Sequence, residues 1–180
     1  MSISTNRIIA AVRNDEEFET AVKSEISTIF LLNADIISIR DKVAQAHEKS
    51  ILLYVHMDLA EGIGKDRAGI NYLANMGVDG IISTRSNLIK LAREANMFTV
   101  QRFFVVDSHS VDTVIETVKA SKADMIEVMP GVVSKVISKL KEHIKIPIIA
   151  GGLFEDENEI ETALNNGAIA VSIGKVQFWN

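Results

Sequence analysis

The feature that most constrains this chain is an alternation that runs its whole length: a short apolar run, then a stretch of helical period, eight times over. The strand candidates are residues 8–12, 28–32, 51–55, 80–83, 98–101, 125–128, 147–150 and 168–172. They are rich in Ile, Val and Phe and all short, as strands covered on both faces are. Between them, apolar positions step by three and four. Ile36, Ile39, Val43 and Ala46 do so in the second unit, Val111, Val114 or Ile115, and Val118 in the fifth, and Val133, Ile137, Leu140 and Ile144 in the sixth. Asp15-Glu16-Glu17 and Glu155-Asp156-Glu157 set carboxylates at the positive end of a helix dipole. Gly77 and Gly167 follow Asn75-Met76 and Asn165-Asn166, and read as left-handed helix stops.

Eight βα units predict an α/β fold, a small (β/α)8 TIM barrel, as a single domain over residues 1–180. The count suits a closed parallel barrel better than a doubly wound sheet of five or six strands. A flavodoxin-like open sheet with added elements is the alternative. With 180 residues each unit has about 22, against about 250 residues in a typical barrel, so the loops must be short. Residues 175–180 leave room for barely one helical turn after the last strand.

Composition removes several function classes. There is no cysteine, which excludes disulfides, cysteine-based zinc and iron–sulfur sites and thiol nucleophiles. The longest apolar runs are about five residues where a membrane-spanning helix needs roughly 20, so no membrane partner is expected. Residues 1–7 do not resemble a signal peptide. A cytoplasmic location is the expectation. The net charge of −5 is unevenly placed: residues 1–83, 84–145 and 146–180 carry −4, +3 and −4. Closing the barrel brings the two acidic blocks together and turns Lys90, Arg93, Lys119, Lys122, Lys135 and Lys139 to the other flank. That flank is either ordinary solvated helix surface or a face for a polyanion.

Ligands of such barrels sit at the C-terminal ends of the strands, and these ends are densely polar: Arg13-Asn14, His56-Met57-Asp58, Ser83-Thr84-Arg85, Gln101-Arg102, Glu127 to Gly131, Gly151-Gly152 and Ser172-Ile173-Gly174-Lys175. Glycines after strands seven and eight let backbone N–H groups approach an anion, with a short helix from Lys175 aimed at the same point. This predicts phosphate at Gly151, Gly152, Ser172, Gly174 and Lys175; tight βα turns are the plainer explanation. Arg13, Arg85 and Arg102 suit phosphate or hydroxyl oxygens, or else pair with Asp58 and Glu127. His56, Asp58 and Glu127 are candidates for acid–base work, but they lack metal-site spacing, and no cofactor or metal is expected. Gly62-Ile63-Gly64-Lys65 reads as a flexible connection.

The runs A-x-R-N (Ala11 to Asn14), H-x-D-L (His56 to Leu59), G-I-I-S-T-R-S-N (Gly80 to Asn87), Q-R (Gln101-Arg102), I-E-V-x-P-G (Ile126 to Gly131) and P-I-x-A-G-G (Pro147 to Gly152) resemble the glycerol uptake operon antiterminator regulatory proteins, over nearly the whole chain. The resemblance implies a small barrel without catalytic activity that senses glycerol 3-phosphate as its effector. It implies, too, action on leader mRNA of glycerol-utilisation genes to prevent transcription termination. Carried over by position, the ligand-binding residues are Arg13, His56, Asp58, Ser83, Thr84, Arg85, Gln101, Arg102, Glu127 and Gly131, with Gly151 and Gly152 holding phosphate. Asp58 and Glu127 would accept hydrogen bonds from the glycerol hydroxyls.

Three readings stand at this level: a ligand-gated RNA-binding regulator, an enzyme acting on a small phosphorylated substrate through Glu127, His56 and Asp58, and a metabolite sensor acting on a protein. The sequence leaves both a monomer and a homo-oligomer open.

Overall fold

The computed structural model describes residues 7–180, with Ser108 by its backbone alone. The reading of residues 1–7 as lacking a signal peptide therefore lies outside the described residues, save for Arg7. Eight strands, β1 (Ile8–Val12), β2 (Thr28–Leu31), β3 (Leu52–His56), β4 (Gly80–Ser83), β5 (Phe98–Phe104), β6 (Met125–Met129), β7 (Ile148–Gly151) and β8 (Ala170–Ile173), pair in chain order and all in parallel. The ring closes where Ile8, Ile9 and Ala10 of β1 pair with Val171, Ser172 and Ile173 of β8. The α-helices on its outside are α1 (Asp15–Lys23), α2 (Ile39–Glu48), α3 (Arg67–Asn75), α4 (Ser86–Glu94), α5 (Ser108–Ser121), α6 (Ser134–His143) and α7 (Glu157–Asn165). The closed barrel is the expected fold; the open-sheet alternative falls.

Side-chain caps start four of the helices. Asn14, Asp66, Asp107 and Asp156 accept hydrogen bonds from the backbone N–H three residues on, satisfying a donor that the first turn leaves unpaired. At α2 a different device moves the start. Asp35 accepts from the N–H groups of Ile37 and Ser38 at 2.8 and 2.9 Å, so the helix begins at Ile39 and leaves Ile36 in a loop. Ile36 is half exposed rather than core, and so is Val133 just before α6; both depart from the predicted apolar stripes. Gly77 and Gly167 are left-handed, as predicted.

The apolar core has two shells. Outside the barrel wall, one cluster joins β1–β4 to the first four helices and another joins β6–β8 to the last three, with Phe103 of β5 packed against the second. Inside the wall every strand contributes one buried residue to a plug: Ile9, Phe30, Tyr54, Ile82, Val100, Met125, Ile149 and Ala170. Gly80 makes room in it, because a β-carbon there would lie 2.4 Å from the Tyr54 ring. After β8 the chain makes one 3-10 turn (Val176–Phe178) rather than the α-helical turn expected. Six residues are too few for a helix, and Trp179 is instead buried, donating its indole N–H to the Ile173 carbonyl at 2.9 Å. Among the described residues no helix is long and apolar enough to cross a membrane.

Candidate functional site

Successive strand residues face opposite sides of the wall, so the plug fixes what faces inward next. Two residues beyond its members come Ala11, Leu32, His56, Thr84, Arg102, Glu127, Gly151 and Ser172. Five of these eight are polar, where the layer beneath has only the Tyr54 hydroxyl. This step from apolar plug to polar layer is the floor of the barrel mouth.

A cavity of about 310 Å³ opens above it on the β1, β6, β7 and β8 side. Arg13, Arg102, Glu127, Gly152, Ser172, Gly174 and Lys175 line it, together with Met129, Leu153, Phe154 and Glu155. At its base Glu127 is wholly buried and accepts from Arg102 Nε and from Ser172 Oγ, each at 2.5 Å. Gly151 exists for this contact: a β-carbon there would lie 2.7 Å from Glu127 Oε1 and 2.8 Å from Ser172 Oγ. Gly131 backs Gly151, donating its N–H to the Gly151 carbonyl at 2.7 Å. At the rim Lys175 pairs with Glu155 at 2.5 Å. Arg13 reaches Glu17 at 2.7 Å and the Gly174 carbonyl at 3.3 Å. The positive helix end expected beyond Lys175 is absent, since a three-residue 3-10 turn has no α-helix dipole to offer.

The β3–β4 side of the mouth is separate. Asp58 Oδ2 accepts from Thr84 N–H at 2.8 Å, and Asp58 Oδ1 lies 3.1 Å from Arg85 Nε. His56 is buried, its Nε2 3.6 Å from Asp58 Oδ2, and neither ring nitrogen has a hydrogen-bond partner. Burial and the Arg102 charge push its pKa down to about 4 against the opposing pull of Asp58, so the ring is neutral near pH 7. Lys65 belongs to this group as well. It donates to the carbonyls of Ala60 and Ile63, and burial pulls its pKa below the usual lysine value. The glycine-rich run before it was visible in the sequence, but that it brings the Lys65 charge to Asp58, Arg85 and His56 was not.

The arginines therefore pair as the ion-pair alternative has it at two positions, Arg85 with Asp58 and Arg102 with Glu127, while Arg13 takes Glu17. Ser83 and Gln101 share a different fate. They sit on the outward parity of their strands; Ser83 Oγ accepts from Arg85 N–H at 3.0 Å and Gln101 Nε2 donates to Ser86 Oγ at 2.9 Å. Both brace the start of α4. Among the described residues no group of His, Asp and Glu side chains converges as a metal site.

The six flank cations do not form one stripe. Lys90, Arg93 and Lys122 surround a groove at the C-terminal ends of α4 and α5, on the face away from the mouth. Lys135 and Lys139 border a second groove, walled by Val105, Val106 and Val111 and open on the mouth side. Lys119 is exposed on the last turn of α5. Among the described residues none of the six has a carboxylate within 4 Å.

With this geometry the comparisons with known proteins become specific. The model of the family "Glycerol-3-phosphate responsive antiterminator" matches residues 8–179. The chain belongs to that family. Family members are regulators, and the resemblance seen in the strand-end motifs is thereby established. A glycerol uptake operon antiterminator regulatory protein from Listeria monocytogenes str. 4b F2365 superposes with a TM-score of 0.93 at 29% identity, over 99% of this chain and 97% of that one. A glycerol uptake operon antiterminator-related protein from Thermotoga maritima MSB8 gives 0.86 at 28% identity, over 97% and 98%. The uncharacterized protein YgcP of Escherichia coli (strain K12) is 35% identical over 175 residues, 97% of this chain and 92% of its own length.

Proposed function

We propose that this antiterminator-family chain binds glycerol 3-phosphate in the barrel mouth and, so loaded, binds leader mRNA of glycerol-utilisation genes in the cytoplasm and prevents termination. One observation carries the ligand assignment: the cavity walled by Gly152, Ser172, Gly174, Lys175 and Arg13 above a polar floor. Its 310 Å³ is at the small end of the range for small-molecule sites, about 300–1,000 Å³. Backbone at Gly152 and Gly174 can approach a phosphate where any side chain would keep it away, and Arg13 and Lys175 supply the charge. Lys175 is held by the exposed rim carboxylate of Glu155, so a dianion competes for it at modest cost, and the Arg13 guanidinium is itself exposed although its partner Glu17 is largely buried.

For RNA, the support is the set of unpaired cations, since phosphate contacts dominate such binding. The Lys135–Lys139 groove is the better candidate of the two. Its wall is the β5–α5 loop, which continues the strand that carries Arg102, and β5 runs on to Phe104 by pairing Phe103 and Phe104 with Val128 and Met129 of β6. Met129 also lines the mouth cavity. Ligand and RNA would then meet the same two strands, which is the shared element that coupling between two sites requires.

The test is a mobility shift of a terminator-hairpin leader RNA with and without glycerol 3-phosphate at fixed salt. Tighter binding with the ligand is expected. No shift in either condition from a folded protein that binds the ligand in calorimetry would overturn the RNA half of the reading.

A further inference from the structure

We propose that the mouth holds a second subsite, on the β3 side of Arg102, in which the His56 imidazole reads a hydroxyl group of the ligand. It rests on the reading of the mouth as a site for a small phosphate ester, and it names the chemistry of that ester's other end.

His56 faces inward at the end of β3 and is only 5% exposed. Of its neighbours, Arg102 and Ser172 are engaged with Glu127, and Asp58 takes the Thr84 N–H on Oδ2 and stands in an ion pair with Arg85 through Oδ1. Among the described residues the imidazole is the one side chain with two buried polar atoms unmet. Buried polar atoms in proteins are almost always hydrogen-bonded, and a pair of orphans on one ring marks a place where a partner arrives. An apolar side chain at this position would simply have extended the plug.

The groups facing the ring decide what that partner is. Arg102 and Lys65 bring positive charge toward it, and Asp58 stands 3.6 Å from Nε2. The ring stays uncharged among them and so offers one N–H donor and one bare nitrogen acceptor. A hydroxyl both donates and accepts, and matches that pair. A carboxylate or phosphate would use the donor alone. An ammonium would use the acceptor alone and would sit against two cations. Of the carboxylates that the sequence suggested as hydroxyl acceptors, Glu127 is taken by Arg102 and Ser172, and Asp58 accepts from Thr84 on Oδ2 while its Oδ1 is ion-paired with Arg85 but carries no hydrogen bond. Both carboxylates are tied to neighbouring cations, whereas His56 keeps a donor and an acceptor together for a ligand. Because Arg102 reaches both the phosphate cavity and the His56 side, the ligand class is a polyol phosphate, with its phosphate toward β7 and β8 and its alcohol toward β3.

The experiment is a calorimetric titration of the full chain with glycerol 3-phosphate and with propyl phosphate, which carries a similar anion on a three-carbon chain without hydroxyls. The wild-type protein is expected to bind glycerol 3-phosphate at least tenfold more tightly than propyl phosphate, and His56→Leu is expected to collapse that ratio to near one. A ratio that survives in His56→Leu, or a wild-type protein that binds the two esters equally, overturns the subsite. Nitrogen NMR of the wild-type imidazole gives a readout that needs no variant: the ring signals shift with glycerol 3-phosphate and stay in place with propyl phosphate. Identical shifts with both would also sink the proposal. If the wild-type protein binds neither ester, the phosphate-ester reading itself fails, which is a different result from equal binding of both.

Discussion

Arg102 Nε donates to Glu127 Oε2 at 2.5 Å in a pair whose side chains are 7% and 0% exposed, at the centre of the barrel mouth. Arg102 and Glu127 are cross-strand neighbours in the β5–β6 register, so the pair is built into the ladder itself. It holds two charges out of water in a place where an apolar pair would be cheaper, and it sets the polarity of the floor on which a ligand rests.

Breaking that pair from one side should be severe. Glu127→Ala leaves the buried guanidinium uncompensated and strips Ser172 of its acceptor, and is expected to cost about 3–5 kcal/mol of stability. Glu127→Gln, which keeps shape and an acceptor, should cost clearly less. Urea unfolding monitored by circular dichroism would show both as lower midpoints. Equal midpoints for the alanine variant and the wild-type protein would mean that the pair is not formed in solution.

Glycine-to-alanine changes around the floor should grade with what the new methyl meets. At Gly131 it would lie 2.7 Å from the Gly151 backbone nitrogen, and at Gly151 2.7 Å from Glu127 Oε1; at Gly174 nothing is nearer than 3.5 Å. Backbone cannot move aside cheaply, so Gly131→Ala is expected to destabilise most, by about 1–3 kcal/mol or more. Gly151→Ala should cost somewhat less and weaken glycerol 3-phosphate binding by displacing Glu127 and Ser172. Gly174→Ala should fold normally. Thermal unfolding and calorimetry of the three variants check the order, and a destabilised Gly174→Ala would break it.

His56 gives a pH dependence with a defined sign. Its pKa is near 4 in the folded chain against about 6.5 unfolded, so between these values the unfolded state binds more protons and stability rises with pH. The contribution is complete above about pH 6.5 and is lost as pH falls toward 4. The shift corresponds to roughly 3 kcal/mol over that window. His56→Leu should flatten the pH dependence of the unfolding free energy there, and an unchanged slope would show that the ring titrates normally.

The two basic grooves can be told apart by charge reversal. Lys135→Glu with Lys139→Glu should weaken leader-RNA binding at least tenfold and shallow its salt dependence by about 0.7–0.9 per lost phosphate contact. Glycerol 3-phosphate binding should persist. Lys90→Glu with Arg93→Glu, on the face away from the mouth, should have the smaller effect on ligand-stimulated binding. The reverse ranking would move the RNA surface to the α4–α5 groove.

The sequence by itself determined the strand count, the closed barrel and the polar strand ends, because alternation, helical period and capping are local properties that each segment carries alone. Asp156, Gly77 and Gly167 do in the structure what their identities imply. Only the tertiary structure decided which strand-end residues face the mouth. Ser83 and Gln101 read as site residues by position, but one residue along a strand reverses the direction of a side chain, and the inward parity is set by how eight strands register around a ring. Partner choice was equally beyond the sequence. Ser172 reaches Glu127 across 45 positions, Arg13 takes Glu17 rather than Asp58 or Glu127, and Lys65 arrives on a loop that looked like a flexible connection. These choices depend on distances between segments that only closure of the barrel fixes, and it is closure that leaves His56 buried, neutral and without a partner.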